Sequence, residues 1–178
     1  PRQRTFVVDV LDEDDPGAAI AGIVQFVLVS ETEAWGQGIR VNPNYRGRGL
    51  STAMTHAGFD WAHERGATVA RNPVFSWNVA SLGLSRGAGF QPATEFRYVH
   101  PAPDPDGLST REGATEELQV TDDPDVAWSF WVGSDAYDAL SGLSLTTERS
   151  WALSRLTRAA FGRIADEQRV VAVESDRG

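Results

Sequence analysis

The chain opens on short apolar, β-branched runs separated by polar turns. Residues 5–10 (TFVVDV) predict a strand. Residues 12–17 (DEDDPG), an acid run closing on Pro-Gly, predict a turn. Residues 20–29 (IAGIVQFVLV) predict a second strand pairing back on the first as a hairpin. Residues 35–41 (WGQGIRV) predict a third, interrupted by Gly36 and Gly38. A glycine inside a strand marks a bulge or the close approach of a backbone or ligand. At Leu50 the period changes. Leu50, Met54, Ala57 and Trp61 fall at i, i+4, i+7 and i+11, so residues 50–65 predict a helix with Gly66 as its C-terminal cap. Residues 68–70 predict a strand, extendable past Pro73 to Phe75. Residues 78–86 predict a short helix, and residues 96–100 (FRYVH) a last strand. A strand, glycine loop, helix and strand in that order make a βαβ unit with a right-handed crossover and a parallel pair.

Beyond residue 100 the pattern breaks. Residues 101–113 hold three Pro and two Gly without apolar periodicity, which reads as a linker. Residues 117–120 then predict a short strand. Asp123-Pro124 reads as an N-cap followed by Pro at the first helical position. Val126, Ala127, Phe130 and Trp131 recur at helical spacing. Leu153, Leu156, Ala160 and Ile164 predict a second helix over residues 150–167, followed by a strand at 169–174 and a turn at 175–178.

Composition narrows the class. The 178 residues are 41% apolar and 10% aromatic, a globular balance. Zero Cys excludes disulfides, thiolate metal sites and a Cys nucleophile. No apolar run reaches the ~18 residues of a membrane span, and the opening Pro1-Arg2-Gln3-Arg4 leads straight into a strand, not a signal peptide. The expected location is therefore cytoplasmic. The net charge of -9, with every base an Arg, argues against nucleic-acid or anionic-membrane partners. His56 and His63, seven apart on one helix, have the wrong spacing for adjacent metal ligands, and no metal is expected. The charge is uneven, however. Between residues 35 and 71, five Arg face two acids, a cationic window suited to an anion.

That window holds the chemistry. Arg46-Gly47-Arg48-Gly49-Leu50-Ser51 links a strand to a helix N-terminus, where free N–H groups and the positive dipole end meet. Glycines let such a backbone approach a pyrophosphate. A P-loop would need Lys before the hydroxyl residue, and Leu50 stands there; a dinucleotide fingerprint would need a third Gly, and Thr52 stands there. The stretch from Val41 to Ser51 resembles the acyl-CoA motif of the GNAT superfamily, the acetyl-CoA-dependent N-acyltransferases. This motif is a Gln/Arg-x-x-Gly-x-Gly/Ala loop after the family's fourth strand. Asn78, Ser81, Leu84, Gly89 and Phe90 are similar to its second signature, some thirty residues on. The resemblance covers residues 5–100.

The resemblance implies a fold: an α/β architecture with a mixed central sheet and helices on both faces. It also implies roles. Backbone amides of Arg46, Gly47, Arg48, Gly49, Leu50 and Ser51 would hold the pyrophosphate of acetyl-CoA, the co-substrate. Val41 would pair with the pantetheine arm, and Asn78 would touch the cofactor from the fifth-strand side. The acetyl group would sit where two parallel strands splay, ready for direct transfer to the amine of a small molecule or peptide. Two positions depart from the family. Its usual Tyr acid is replaced by Ser85, whose hydroxyl is a poor acid for a leaving thiolate. Gln37 and Arg40 stand in the strand that often carries a Glu base, which leaves Glu33 as the nearest carboxylate. The catalytic candidates are thus Glu33 and Ser85, with a non-catalytic acyl-CoA-binding module as the alternative.

The family fold opens with a strand and two helices that this chain lacks at its start. Residues 114–178 supply that order, and residues 170–176 echo residues 7–12 at an offset of 163. The expected organisation is a core over 1–100, a linker over 101–113, and a segment over 114–178 resembling the front half of a second unit. The chain would then be the middle slice of a tandem protein or a permuted single domain; an unrelated helical extension is the other reading. The tail's apolar stripes would cover the open sheet, with strand 117–120 beside strand 5–10. Exchange of tails between two chains would make a homodimer.

Overall fold

A computed structural model describes residues 1–10, 20–97, 102, 119–146 and 149–174. Alternation builds its first sheet. β1 (Gln3–Asp9) turns Phe6 and Val8 toward the core and leaves Val7 exposed. It pairs antiparallel with β2 (Ile20–Leu28), from Gln3 opposite Val27 to Val8 opposite Gly22. β3 (Glu33–Val41) pairs antiparallel with β2 on the next edge. α1 (Leu50–His63) then crosses over, and β4 (Val69–Arg71) lies parallel to β3. The sheet order is β1-β2-β3-β4, a mixed sheet containing the expected βαβ unit.

The core lies between this sheet and α1. Val24, Phe26 and Ala34 meet Met54, Trp61 and Ala62, with Ala67 closing the cluster. The packing is tightest at Gly58: a Cβ there would lie 2.1 Å from the Phe26 ring. Phe26 also meets Phe6 and Phe59 edge-on, and Phe59 meets Phe90. α1 ends as its glycine predicts. Gly66 takes φ +92°, and the Ala67 N–H returns to the Ala62 carbonyl at 3.1 Å. α2 (Val79–Gly87) follows, capped by Asn78, whose side chain accepts from the Ser81 N–H at 3.1 Å.

The chain divides into two compact units, residues 1–92 with 144–154 and residues 93–143 with 155–178. The second contains β5 (Gln119–Thr121), α3 (Pro124–Val132), α4 (Asp135–Ala139), α5 (Arg158–Glu167) and β8 (Ala172–Glu174). Asp123 caps α3 through the Asp125 N–H, as Asp123-Pro124 predicts. Trp128 packs on Phe161 of α5, and Trp131 on Tyr137. Arg158 pairs with Asp125.

Two expectations for the tail are corrected. The helix over 150–167 is instead β7 (Arg149–Arg155), paired with β6 (Leu143–Thr146), followed by α5. Thr157 starts the helix late by accepting from the Ala160 N–H at 3.1 Å, and Leu153 is buried in a strand that also satisfies its apolar spacing. The strand expected at 117–120 is described from Gln119 on, and its ladder partner is not β1. β5 pairs antiparallel with β8, Val120 opposite Val173, and among the described residues β1 has only β2 as a ladder partner. Phe96 and Arg97 form no strand; the rest of that expected strand, the turn at 12–17, all of 103–113 and the final turn lie outside the described residues.

Candidate functional site

Proline creates the site. The β3–β4 ladder runs through Glu33–Val69, Ala34–Ala70 and Trp35–Arg71, then stops. Two residues further on stands Pro73, which has no N–H to give a ladder. β3 continues to Val41 while the chain at 72–75 departs, so the edge of β3 over 36–41 has no β4 partner. On its other edge β3 carries an extra residue. Gln37 opposes Gln25 but Arg40 opposes Ile23, and Gly38 takes φ +66°. This glycine bulge bends β3 at the place where its partner leaves.

The two diverging segments bound a cleft of about 710 Å³. One wall is 36–41 of β3, the other 72–75 with the inner side of α2, including Asn78, Ser81, Leu84 and Ser85. The loop from Tyr45 to Ser51 lines one end, and Val24, Phe26, Thr55 and Phe90 also reach the cleft.

The glycine loop is shaped by its own backbone. Asn42 accepts from the Asn44 N–H at 3.1 Å, opening a 3₁₀ turn over Pro43–Tyr45. Gly47 and Gly49 both take φ +75°, and a Cβ on either would meet open space. Gly49 is the N-cap of α1 with no side chain to satisfy the first turn. The Arg46 N–H donates to the Pro43 carbonyl at 3.3 Å. The N–H groups of Gly47, Arg48 and Gly49 have no backbone acceptor among the described residues. The donors of this nest therefore begin at Gly47, one residue later than expected, and continue through Leu50 and Ser51 at the positive end of α1. The Arg48 guanidinium lies 5.1 Å from the Tyr45 ring centroid.

The structure gathers most sequence candidates around this cleft. Val41, Arg46, Gly47, Gly49, Leu50, Ser51, Asn78 and Ser85 all line it; Arg48 sits within the loop. Ser85 is buried, and its Oγ accepts from Asn72 Nδ2 at 2.9 Å. Glu33 is elsewhere. It is the first residue of β3, 6% exposed, ion-paired with Arg71 at 2.7 Å, and outside the residues lining the cleft. Sequence reasoning missed Asn72 and the bond from Gln37 Nε2 to Gln25 Oε1 at 2.7 Å. Asn72-Pro73 at a strand end was the available signal for the first. The stacked rings of Phe75 and Trp77, both exposed, also line the cleft.

The sequence profile of the acetyltransferase (GNAT) family matches residues 1–90, half of the chain. The protein belongs to this family. No curated protein sequence matches. Among solved structures, the chain is similar to AAC(6')-Iy in complex with a CoA-S-monomethyl-acetylneamine bisubstrate analogue. That likeness has 15% identity and a TM-score of 0.49, over 57% of this chain and 71% of that one. It is similar to an acetyltransferase of Trypanosoma brucei, with 17% identity and a TM-score of 0.47 over 56% and 70% of the two chains. It is also similar to a spermidine N-acetyltransferase variant of Vibrio cholerae, with 20% identity and a TM-score of 0.41 over 51% and 52%.

Proposed function

We propose that the protein moves an acetyl group from acetyl-CoA directly to an amine on a small molecule or peptide. One observation carries this reading: the parted strands and the glycine nest line the same cleft. A thioester needs backbone donors at its carbonyl, an extended slot for its arm and an anion site for its phosphates. The unpaired edge over 36–41, the length of the cleft and the N–H groups over 47–51 offer these in that order.

The fit to acetyl-CoA follows from the loop itself. Both nest glycines hold left-handed backbone with open space outside, so phosphate oxygens can approach the N–H groups without a side chain between. Arg46, at the cleft wall, adds charge for the phosphates, with Arg48 beside it in the loop. Asn78 spends its Oδ1 on the helix cap and keeps its amide N–H groups for the cleft. When bound, acetyl-CoA supplies the activated acyl group. The protein supplies proximity, a fixed carbonyl orientation and donors to the oxygen.

Thiol release from acetyl-CoA in the presence of an amine panel tests the reading. Release that rises with amine concentration supports transfer. Binding of acetyl-CoA with no release under any amine would assign the chain to the alternative, an acyl-CoA-binding module without catalysis.

A further inference from the structure

Ser85 stands at the wall of the cleft with its hydrogen-bonding polarity already set. A hydroxyl has one proton to give and lone pairs to accept. Serines and threonines inside helices commonly donate back to the carbonyl four residues earlier. Thr55 does so in α1, donating to the Ser51 carbonyl at 2.8 Å. Ser85 in α2 behaves differently. Its Oγ accepts from Asn72 Nδ2, a side chain on the other segment of the same wall. With a donor fixed on its oxygen, the Ser85 proton is left for a partner in the cleft.

We infer that Asn72 is a positioning residue that makes Ser85 a hydrogen-bond donor toward the departing sulfur in acyl transfer. The inference rests on the proposed acyltransferase reading. In that reaction the amine nitrogen forms a bond to the thioester carbon, the carbon–sulfur bond breaks, and its electron pair leaves on sulfur. The amine's proton passes to water, and the thiolate takes one from water. Ser85 keeps its own proton throughout and offers a hydrogen bond to the sulfur as charge develops, so its high pKa is no obstacle. Asn72 comes immediately after Arg71, the last paired residue of β4, so the parting of the strands also places the group that orients Ser85. Burial of Ser85 keeps water from competing for its proton.

The test is a double-mutant cycle on the full chain, with acetyl-CoA as donor and hydroxylamine, a small nucleophile uncharged at pH 7, as acceptor. Asn72→Asp replaces a donor with a carboxylate that only accepts, which draws the Ser85 proton away from the cleft. Ser85→Ala and Asn72→Asp should each lower kcat about tenfold, with KM for acetyl-CoA moved less than about twofold. The double variant should also lie about tenfold down, not about a hundredfold. Asn72→Ala, a milder change, should lose a few-fold and should likewise cost nothing further beside Ser85→Ala. If Asn72→Asp or Asn72→Ala costs the same with and without Ser85, or raises KM instead of lowering kcat, the inference is overturned while acyl transfer stands. If the unaltered protein releases no thiol with hydroxylamine or the amine panel, both fall.

Discussion

Glu33 and Arg71 are ion-paired at 2.7 Å across β3 and β4, on the rungs just before those strands part. Arg71 is opposite Trp35, and Glu33 is opposite Val69, so the pair spans the ladder diagonally. A carboxylate this buried depends on its partner, because an unpaired buried charge costs far more than a lost surface bridge. The pair thus pins the last paired rungs, and the carboxylate nearest the cleft in sequence is committed to architecture.

This asymmetry predicts unequal mutants. Arg71→Gln removes the positive charge that faces a nearly buried carboxylate and should destabilise the fold by about 3 kcal/mol. Glu33→Gln leaves the more exposed Arg71 to find water and should cost less, about 1 kcal/mol. Urea denaturation of the two variants reads the difference. Equal costs, or a larger cost for Glu33→Gln, would show that the pair does not hold the rungs in this way.

Two glycines in helices should respond with opposite signs. Gly58→Ala places a methyl 2.1 Å from the Phe26 ring and forces the core apart. Overpacking of this kind costs about 1–3 kcal/mol and outweighs the helix-propensity gain. Gly83→Ala in α2 meets nothing within 4 Å and should stabilise the protein by about 0.5–1 kcal/mol. Thermal unfolding of both variants checks the pair of signs.

Asn78 has two duties that one substitution separates. Aspartate is as good an N-cap as asparagine, so Asn78→Asp should change stability by less than about 0.5 kcal/mol. It also removes the amide donors and puts a negative charge into the cleft that would hold an anionic ligand, so acetyl-CoA affinity should fall at least about tenfold. Calorimetric titration beside a denaturation curve reads both. Unchanged affinity would leave Asn78 as a cap alone.

The paired first strands, the βαβ unit, the glycine interruption of β3 and the helix at α2 were legible because each is written locally. Period changes mark the elements, and Gly38, Gly49, Gly66 and Asn78 mark bends or ends with residue types that those conformations require. What escaped is non-local or doubly coded. Leu153 and Leu156 satisfy helical spacing, yet Thr157 caps the helix after them and residues 149–155 pair with β6. Nothing in residues 119–121 specifies β8 as their partner over another short strand. Around the cleft, the glycine loop was legible as a loop between a strand and a helix N-terminus, because Gly47 and Gly49 mark it locally. The tie of Glu33 to Arg71 and of Ser85 to Asn72 was not, because 38 and 13 residues separate the partners in the chain.

Titration of the full chain with acetyl-CoA, against Gly49→Glu as the paired variant, tests the cleft assignment most directly. Gly49 holds φ +75°, and its Cβ would face open space, so the variant acts through backbone strain and a negative charge in the nest rather than through a clash. The unaltered protein should bind with a Kd of about 1 μM or tighter, releasing about 8 kcal/mol. Gly49→Glu should bind at least about a hundredfold more weakly while keeping its unfolding midpoint within a few degrees. No binding by the unaltered chain, or equal binding by the variant, would contradict the account.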